Sequence, residues 1–290
     1  MDDREWLAER FEEHRTRLRA VAYRMLGSLA EADDAVQEAW LRLSGSDAGE
    51  IDNLGAWLTT VVGRMSLNML RSRRVRREEP LPEHLPDPII DNPDGVDPEH
   101  QALLADSVGL ALLVVLETLA PAERLAFVLH DMFAVPFEEI AGIIDRSPEA
   151  ARQLASRARR RVRGATPPPD ADPIAQRDVV DAFVAAARDG DFDALVAVLD
   201  PEVVLRADSG AGLMEFHGAT TVARQALGFS RLGLVVRPAL INGVAGAVTT
   251  RDGEIFSIGA LTVTDRKIVE IDILADPVRL RQVDLRLLDD

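Results

Sequence analysis

A helix predicted to begin at Pro148 carries side chains that can recognise the edges of DNA bases. At helical spacing, five polar residues share one of its faces: Arg152, Gln153, Ser156, Arg157 and Arg160. An arginine can donate two hydrogen bonds to guanine, a glutamine can form two with adenine, and further arginines can bind phosphates. The face therefore predicts sequence recognition in DNA. A helix that exposes its arginines only to solvent is the alternative.

The residues before Pro148 predict the rest of a helix-turn-helix. Apolar residues repeat at helical spacing from Phe137 to Ile144, and residues 145–146 make the turn. Ser147 can accept a hydrogen bond from a free N–H group of the next helix, and Pro148 suits its first position because proline has no N–H to leave unpaired. The inner face of that helix is formed by Ala151, Leu154, Ala155, Ala158 and Val162.

The chain is acidic, with a net charge of -16, but its basic residues are clustered. Arg71–Arg77 and Arg157–Arg163 each hold five arginines in seven residues. Repulsion between an acidic protein and DNA weakens non-specific binding to phosphates. Two basic patches on an acidic chain therefore predict a protein that touches DNA at two places and needs a partner to remain there.

The composition excludes several other kinds of site. The 290-residue chain has no cysteine, and its five histidines show no metal-ligand spacing. We therefore expect no disulfide, no thiolate chemistry, no metal and no cofactor. The longest apolar run, Val108–Leu116, is too short to span a bilayer, and no signal-peptide pattern is found. We expect a cytoplasmic protein that does not bind a membrane.

In the N-terminal part, a helix at Arg4–Leu26 is followed by a second helix with a polar face. This second helix, Leu29–Leu43, begins at a predicted capping box of Ser28 and Glu31. The face opposite its apolar residues exposes Asp34, Gln37 and Glu38. Such a face is either a docking surface or simply solvated.

A third helix is predicted after Asn53, which can cap it. Its outward row consists of Arg64, Asn68 and Arg71 and leads into the first arginine cluster. Pro80–Pro98 is rich in proline and aspartate, which predicts a linker that does not pack as an element. A helix with an apolar centre, Gln101–Leu119, follows the linker.

The composition changes after Gly164. Residues 165–173 are rich in proline and predict a stiff linker, and helices are predicted at Ile174–Arg188 and Phe192–Leu199. An Asn-Gly and an Asp-Gly pair predict hairpin turns. The strands predicted around them are Leu232–Ile241, Val244–Thr250, Glu254–Thr264 and Ile268–Leu274. Helices followed by an antiparallel meander indicate an α+β domain.

The order of these elements resembles a bacterial extracytoplasmic-function (ECF) sigma factor. The resemblance rests on DDAVQEAWLRL at Asp33–Leu43, GAWLTTVVGR at Gly55–Arg64, the arginine cluster, the linker and the helix-turn-helix. It implies two all-α helical sigma domains, region 2 and region 4, in a protein that binds core RNA polymerase and promoter DNA. The segment Asp189–Val203 is similar to the start of SnoaL-like cone domains, which a subgroup of these sigma factors carries as an extension.

This resemblance implies a role for each polar face. The region 2 surface that docks on the polymerase clamp helices corresponds to Asp34, Gln37 and Glu38. The part of region 2 that engages the minus-ten element corresponds to Arg64, Asn68 and Arg71, together with the loop Ser44–Asn53. The region 4 face that contacts the minus-thirty-five element corresponds to Arg152, Gln153, Ser156 and Arg157, with Arg160 beside them.

The resemblance also predicts the domain boundaries. Region 2 is expected at residues 1–79, a linker at 80–100, region 4 at 101–164, a second linker at 165–173 and a SnoaL-like regulatory domain at 174–290. The expected function is promoter-specific transcription initiation rather than catalysis, modulated by the C-terminal domain. Whether that domain binds an unidentified small ligand is left open.

Three segments depart from the motifs of the subgroup. They are LPEHL at Leu81–Leu85, DSGAG at Asp208–Gly212 and DPVRL at Asp276–Leu280. The subgroup usually has Trp-Leu-Pro-Glu-Pro, a glycine-rich aspartate motif and Asn-Pro-Asp-Lys-Leu at these places. The differences indicate a divergent branch.

Two other functions are open at this stage. Asp208, His217 and Asp272 are candidate acid or base groups if the cone is an isomerase or cyclase. Alternatively, the chain is a one-component regulator in which the C-terminal domain senses a ligand and the helix-turn-helix responds. That second function leaves the segment Asp33–Arg77 without a role.

Overall fold

The computed structural model describes residues 3–46, 51–76, 84–91, 109–165, 170, 172–230 and 232–283. The chain divides into two units. Unit 1 comprises residues 1–81, 102–106 and 113–165, and unit 2 comprises residues 82–101, 107–112 and 166–290. Both predicted helical modules therefore lie in unit 1, whereas most of the predicted linker between them belongs to unit 2.

The N-terminal part of unit 1 consists of α1 (Asp3–Leu26), α2 (Leu29–Ser44) and α3 (Leu54–Arg76). These helices pack around large apolar side chains that are almost fully buried: Leu18, Met25, Leu43, Leu58, Val62 and Leu67. The predicted bounds of α1 and α2 and the predicted start of α3 are confirmed to within one residue.

The second part of unit 1 contains the predicted helix-turn-helix. Before it lie α4 (Leu110–Thr118), whose residues 110–112 fall in unit 2, α5 (Pro121–Phe127) and a π-helical turn (Val128–Met132). The helix-turn-helix itself is formed by α6 (Phe137–Ile144) and α7 (Pro148–Ala165). Residues 101–108 of the helix predicted before α5 lie outside the described residues.

Two predicted helix caps are confirmed and a third is wrong. Ser147 accepts a hydrogen bond from the N–H three residues further on at 3.2 Å, and Asn53 does the same at 3.1 Å. Ser28, however, makes no side-chain cap at the start of α2. The Glu31 carboxylate pairs instead with Arg73 of α3. A tertiary ion pair thus replaces the predicted local capping box.

Unit 2 is an α+β fold. Its helices are α8 (Pro173–Asp189), α9 (Phe192–Val198), α10 (Ala219–Ser230) and the short α11 (Pro277–Leu280). Its strands are β1 (Ile90–Asp91), β2 (Leu199–Asp208), β3 (Leu213–His217), β4 (Val235–Ile241), β5 (Val244–Arg251), β6 (Glu254–Thr264) and β7 (Lys267–Leu274). The strand order in the sheet is β1-β4-β5-β6-β7-β2-β3, and among the described strands β2 and β7 are the one pair that runs in parallel.

The predicted meander corresponds to β4–β7, whose turns have the backbone conformation that Asn-Gly and Asp-Gly favour. Asn242 and Asp252 both have a positive φ, of 51° and 53°. Helices α8, α9 and α10 pack on one face of the sheet around a core that includes Val180, Leu195 and Val222. The sequence did not predict β2, β3 and α10 individually.

The predicted linker Pro80–Pro98 contains a segment that packs within unit 2, contrary to expectation. Ile90–Asp91 forms β1 and pairs with the end of β4. The Ile89 N–H donates to the side-chain oxygen of Asn242 at 3.0 Å, and the Asn242 N–H donates to the Ile89 carbonyl at 2.8 Å. Leu85, Ile89 and Ile90 are between 2% and 4% exposed. Apolar side chains and partners from the sheet outweigh the proline-rich composition.

The carboxylate of Asp208, at the end of β2, holds the start of this segment. It accepts hydrogen bonds from the N–H groups of Leu85 and Gly210, each at 3.0 Å, and lies 3.2 Å from Nδ1 of His84. It also accepts a hydrogen bond from Nη1 of Arg279 at 2.8 Å. The three segments that depart from the subgroup motifs therefore meet at one carboxylate.

Arg279 links this carboxylate to a second point in the segment, because its Nη2 donates to Asp87 at 2.6 Å. Burial by itself raises the pKa of Asp208, but the hydrogen bonds from Gly210, His84 and Leu85 outweigh it and hold that pKa below its ordinary value. The folded state therefore favours the ionised form of Asp208.

Asp208→Asn is expected to lower the free energy of unfolding of unit 2 by about 3 kcal/mol, because it removes one of the two carboxylates that bind the largely buried Arg279 guanidinium and weakens the hydrogen bonds from Leu85 and Gly210. Hydrogen–deuterium exchange of the β2 and β4 amides measures the loss. The control is Asp189→Asn at the exposed end of α8, which should change the free energy by less than about 0.5 kcal/mol. Equal effects of the two variants would contradict the role of Asp208.

The same carboxylate predicts a dependence on acid. Because its folded pKa is depressed, its contribution is fully present above the unfolded pKa of about 3.9 and is lost as the pH falls through the lower folded pKa. The stability difference between the wild type and Asp208→Asn should stay constant from about pH 7 to pH 5 and shrink below about pH 4. A difference that grows in acid would contradict this sign.

Candidate nucleic-acid and polymerase interfaces

The predicted base-reading face of α7 points outward. Every residue predicted on it is exposed: Arg152, Gln153, Ser156, Arg157 and Arg160. On the opposite face, Ala151, Ala155 and Ala158 are completely buried. These small side chains let α7 pack closely on α5 and α6. The buried alanine stripe therefore fixes which side of α7 is presented to solvent.

Some arginines of the cluster Arg157–Arg163 are held by acidic residues of region 4 itself. Glu123 of α5, whose side chain is 7% exposed, accepts a hydrogen bond from Nη1 of Arg161 at 3.0 Å and lies 3.9 Å from Nη1 of Arg157. Arg159 pairs with Asp131 of the π-helical turn. Ion pairs thus join both flanks of α7 to the rest of its helical module. Arg157 lies between the exposed face and the flank that faces Glu123.

The predicted polymerase-binding face of α2 is accessible in the part of the chain that the structure describes. Asp34 and Gln37 are exposed, and Glu38 is half-buried with a hydrogen bond of 3.0 Å from Nε of Arg42. Leu41, one turn further along, is 56% exposed. The face therefore leaves two polar side chains and one leucine accessible to a partner.

The predicted minus-ten residues of α3 do not all have the same surroundings. Arg64, Asn68 and Arg71 are all exposed. Arg64, however, donates from Nη2 to the carbonyl of Gly142 in α6 at 2.8 Å. Part of the predicted loop Ser44–Asn53, residues 47–50, lies outside the described residues. Arg64 is therefore engaged by the helix-turn-helix.

Other contacts within unit 1 join the same two helical modules. Arg17 of α1 donates to the carbonyl of Phe133 at 2.9 Å, and the Arg24 guanidinium lies 5.0 Å from the centre of the Phe133 ring. Arg124 of α5 donates from Nε to the Arg24 carbonyl at 3.0 Å. Desolvation by burial lowers the pKa of Arg124 to about 10, although Glu117 acts to raise it. The two helical modules of unit 1 are therefore packed on each other through arginines.

In unit 2, the candidate catalytic groups have separate partners. Asp208 holds the linker segment, and His217 is exposed beside Glu215 at 3.6 Å. Asp272 accepts a hydrogen bond from Nε of Arg206 at 2.7 Å; burial raises its pKa although Arg206 acts to lower it. Within the described residues, no hydrogen bond or ion pair joins any two of these three candidates. They do not form an acid–base pair.

Unit 2 also has an open groove of about 500 Å³ between α8 and the hairpin of β4 and β5. Arg177, Asp181 and Pro238 are among its lining residues. This groove has room for the small ligand that the sequence left open. Among the described residues, no helix is both long enough and apolar enough to cross a membrane.

Comparison with known families accounts for both parts of unit 1. The family model of sigma-70 region 2 matches residues 10–76, and that of sigma-70 region 4 matches residues 109–162. The chain belongs to the ECF RNA polymerase sigma factors, which direct promoter-specific transcription initiation by RNA polymerase. The predicted fold class, two helical sigma domains followed by a sheet-containing domain, is confirmed. The family is one of transcription factors rather than enzymes.

Among individual proteins, the chain is similar to the ECF RNA polymerase sigma factor SigJ of Mycobacterium tuberculosis. The two are 41% identical over 285 residues, which cover 92% of this chain and 91% of SigJ. The crystal structure of SigJ matches with a TM-score of 0.75 and 36% identity over 96% of this chain and 99% of that chain. The probable ECF sigma factor SigI of the same species is 35% identical over 271 residues and 92% of each chain.

Arg160 and Arg161 are neighbours for which we predict opposite effects. Arg160→Ala should weaken binding of the polymerase complex to all DNA sequences alike and reduce the salt slope of log K by about one, because one phosphate contact is lost. Arg161→Ala should leave DNA binding unchanged and lower the stability of region 4 by about 1–3 kcal/mol, because buried Glu123 loses its nearest partner. Salt titrations by fluorescence anisotropy and thermal unfolding measure the two effects, and a reversed pattern would refute the assignment.

Proposed function

We propose that three surfaces of this sigma factor divide the work of initiation in the cytoplasm. The face of α2 with Asp34, Gln37 and Glu38 binds core RNA polymerase. The row on α3 with Arg64, Asn68 and Arg71 engages the minus-ten element. The outward face of α7, with Arg152, Gln153, Ser156, Arg157 and Arg160, binds the minus-thirty-five element. The observation that carries the proposal is the exposed polar face of α7 opposite a fully buried alanine stripe, in a chain of this family.

We further propose that the packing of region 2 on region 4 is a resting arrangement. Promoter elements about 25 base pairs apart are separated by about 85 Å at about 3.4 Å per base pair. Two domains in direct contact cannot reach both elements. The hydrogen bond from Arg64 to the Gly142 carbonyl also occupies a residue assigned to the minus-ten element. Polymerase and promoter must therefore separate the two regions.

The C-terminal domain modulates this separation through the linker. If the 33 peptide steps from Arg76 to Gly109 were free, they could extend over roughly 110 Å, which is enough for the promoter spacing. Docking of His84–Asp91 on unit 2 fixes eight of these residues and leaves about 25 free steps, which span roughly 85 Å only when they are fully extended. A docked linker thus favours the resting arrangement, and a population that spends more time in it is less active.

The one-component regulator is the second candidate, and region 2 argues against it. Such a regulator would bind its promoter without polymerase and would need only the helix-turn-helix. The α2 face and its exposed Leu41 would then have no role. Promoter-specific binding by the chain alone, at the affinity of the polymerase complex, would favour this second candidate.

The double variant Asp34→Lys with Glu38→Lys is expected to weaken the complex with core polymerase at least tenfold, because it reverses two charges on the docking face. Gel filtration and titration with labelled core polymerase measure the loss. The control is Glu12→Lys with Glu13→Lys on the exposed face of α1. This control changes the net charge by the same amount. If both double variants assemble like the wild type, α2 is not the docking surface.

The chain has no cysteine, so two labels can be placed at chosen positions without removing any native residue. With labels at Glu12→Cys in α1 and Gly164→Cys in α7, energy transfer should be high in the free chain and fall when core polymerase binds. Adding Leu85→Ser with Ile90→Ser should lower transfer in the free chain, because two buried anchors of the linker are lost. Energy transfer that is unchanged by polymerase would end the resting-state proposal.

A further inference from the structure

The N-terminal half of α7 contains an arginine whose position is set by residues outside its helix. The Arg152 guanidinium lies over the ring of Phe137, 5.1 Å from the ring centre. Phe137 is the first residue of α6, and its side chain is 8% exposed. Arg152 itself is exposed and shares its face with Gln153 and Ser156. An aromatic ring of α6 therefore supports an arginine on the presented face of α7.

The ring of Phe137 is held by His130 of the π-helical turn. The two rings are stacked, with centres 3.8 Å apart and planes 26° apart. His130 in turn is 3.1 Å from the carbonyl of Val135 through Nδ1, a distance at which its N–H donates. The wider π-helical turn brings His130 to this place. The Phe137 ring thus contacts both the His130 ring and the Arg152 guanidinium.

An exposed arginine normally samples many rotamers, and that freedom is lost when it binds a base with two hydrogen bonds. A guanidinium that already lies on an aromatic face loses less freedom, and its fork of donors is held in a narrower range of directions. Recognition of guanine depends on that direction, whereas attraction to a phosphate depends mainly on charge. A fixed Arg152 therefore favours base recognition over phosphate binding.

We propose that Phe137, backed by His130, is a positioning residue for promoter recognition that aims Arg152 at a guanine of the upstream element. The proposal rests on the assignment of the α7 face to the minus-thirty-five element and extends it to a residue that does not touch DNA. Arg160 and Arg163, also exposed on α7, have no such support among the described residues and act on phosphates.

The test uses the complex of the full chain with core RNA polymerase and a DNA duplex library randomised across the upstream element. Sequencing of bound and input DNA gives a preference for each base pair. Arg152→Ala should lower the preference for guanine at one or two positions about tenfold. Phe137→Leu, which keeps an apolar side chain and removes the ring, should lower it roughly threefold at the same positions. Phe137→Trp, which keeps an aromatic face, should restore most of it.

Two controls separate positioning from folding. Phe127→Leu in α5 removes a ring that is also 8% exposed, and it should leave every base preference unchanged. The combination of Phe137→Leu with Arg152→Ala should show the loss of Arg152→Ala alone, because the ring acts only through that arginine. If Phe137→Leu does not assemble with polymerase, the test uses Phe137→Met instead, whose longer, unbranched and flexible side chain also lacks the ring and carries the same expectation.

The outcomes distinguish the failure of this inference from that of the function on which it rests. If Arg152→Ala lowers a base preference and Phe137→Leu does not, the positioning role is wrong and the role of α7 stands. Equal losses for all sequences with Phe137→Leu would also overturn positioning, since they report a damaged fold. If Arg152→Ala changes no base preference, the assignment of Arg152 to base recognition fails, and the positioning role fails with it.

Discussion

The hydrogen bonds accepted by the Asp208 carboxylate join parts of the chain that are far apart in sequence. One carboxylate binds the backbone of the linker at Leu85, the turn after β2 at Gly210 and the guanidinium of Arg279 near the C-terminus. A charged acceptor can satisfy several donors at once, which a neutral side chain in the same place cannot do. At one end of the linker segment 84–91 this carboxylate is the anchor, and at the other end the segment pairs with β4 and with Asn242. A residue of the C-terminal unit thus helps to fix the position of the linker between region 2 and region 4.

Arginine has two distinct uses in region 4. On the flanks of α7, Arg159 and Arg161 are paired with Asp131 and Glu123, so their charge is largely compensated within the domain. On the presented face, Arg152 and Arg160 keep their charge for a partner. Compensation on the flanks narrows the DNA-binding surface to one stripe, and it limits non-specific attraction to phosphates. The sequence pattern, which shows only a dense cluster, cannot separate these two groups because the partners lie 28 and 38 residues earlier in the chain.

Local signals made much of the fold predictable. The apolar repeat, the Ser147 cap and the proline at the helix start defined α6 and α7, and the Asn-Gly and Asp-Gly turns defined the strands β4–β7. Features that depend on distant residues were missed. Strand β2 pairs in parallel with β7, some 60 residues later, and neither segment predicts that pairing by itself. Glu31 pairs with Arg73 instead of forming the predicted capping box, and part of the predicted linker forms β1. In both cases the partner is distant in sequence, so local signals could not predict the contact.

The candidate surfaces could likewise be predicted as faces of helices but not as contacts. Helical spacing placed Asp34, Arg64 and Arg152 correctly on exposed faces. It gave no sign that Arg64 donates to a carbonyl of α6 or that Arg152 lies on the ring of Phe137, because both contacts cross between helices. Because of these two contacts, the two surfaces are not equally accessible to DNA. In the proposed resting arrangement the α7 face is open, whereas Arg64 must first leave Gly142. A charge-assisted hydrogen bond contributes only about 1.5–3 kcal/mol, and micromolar binding of a partner supplies about 8 kcal/mol. Because the chain is acidic overall, DNA alone is a poor source of that energy. In the proposed scheme, docking of the exposed α2 face on polymerase is therefore the step that can release Arg64 for the promoter.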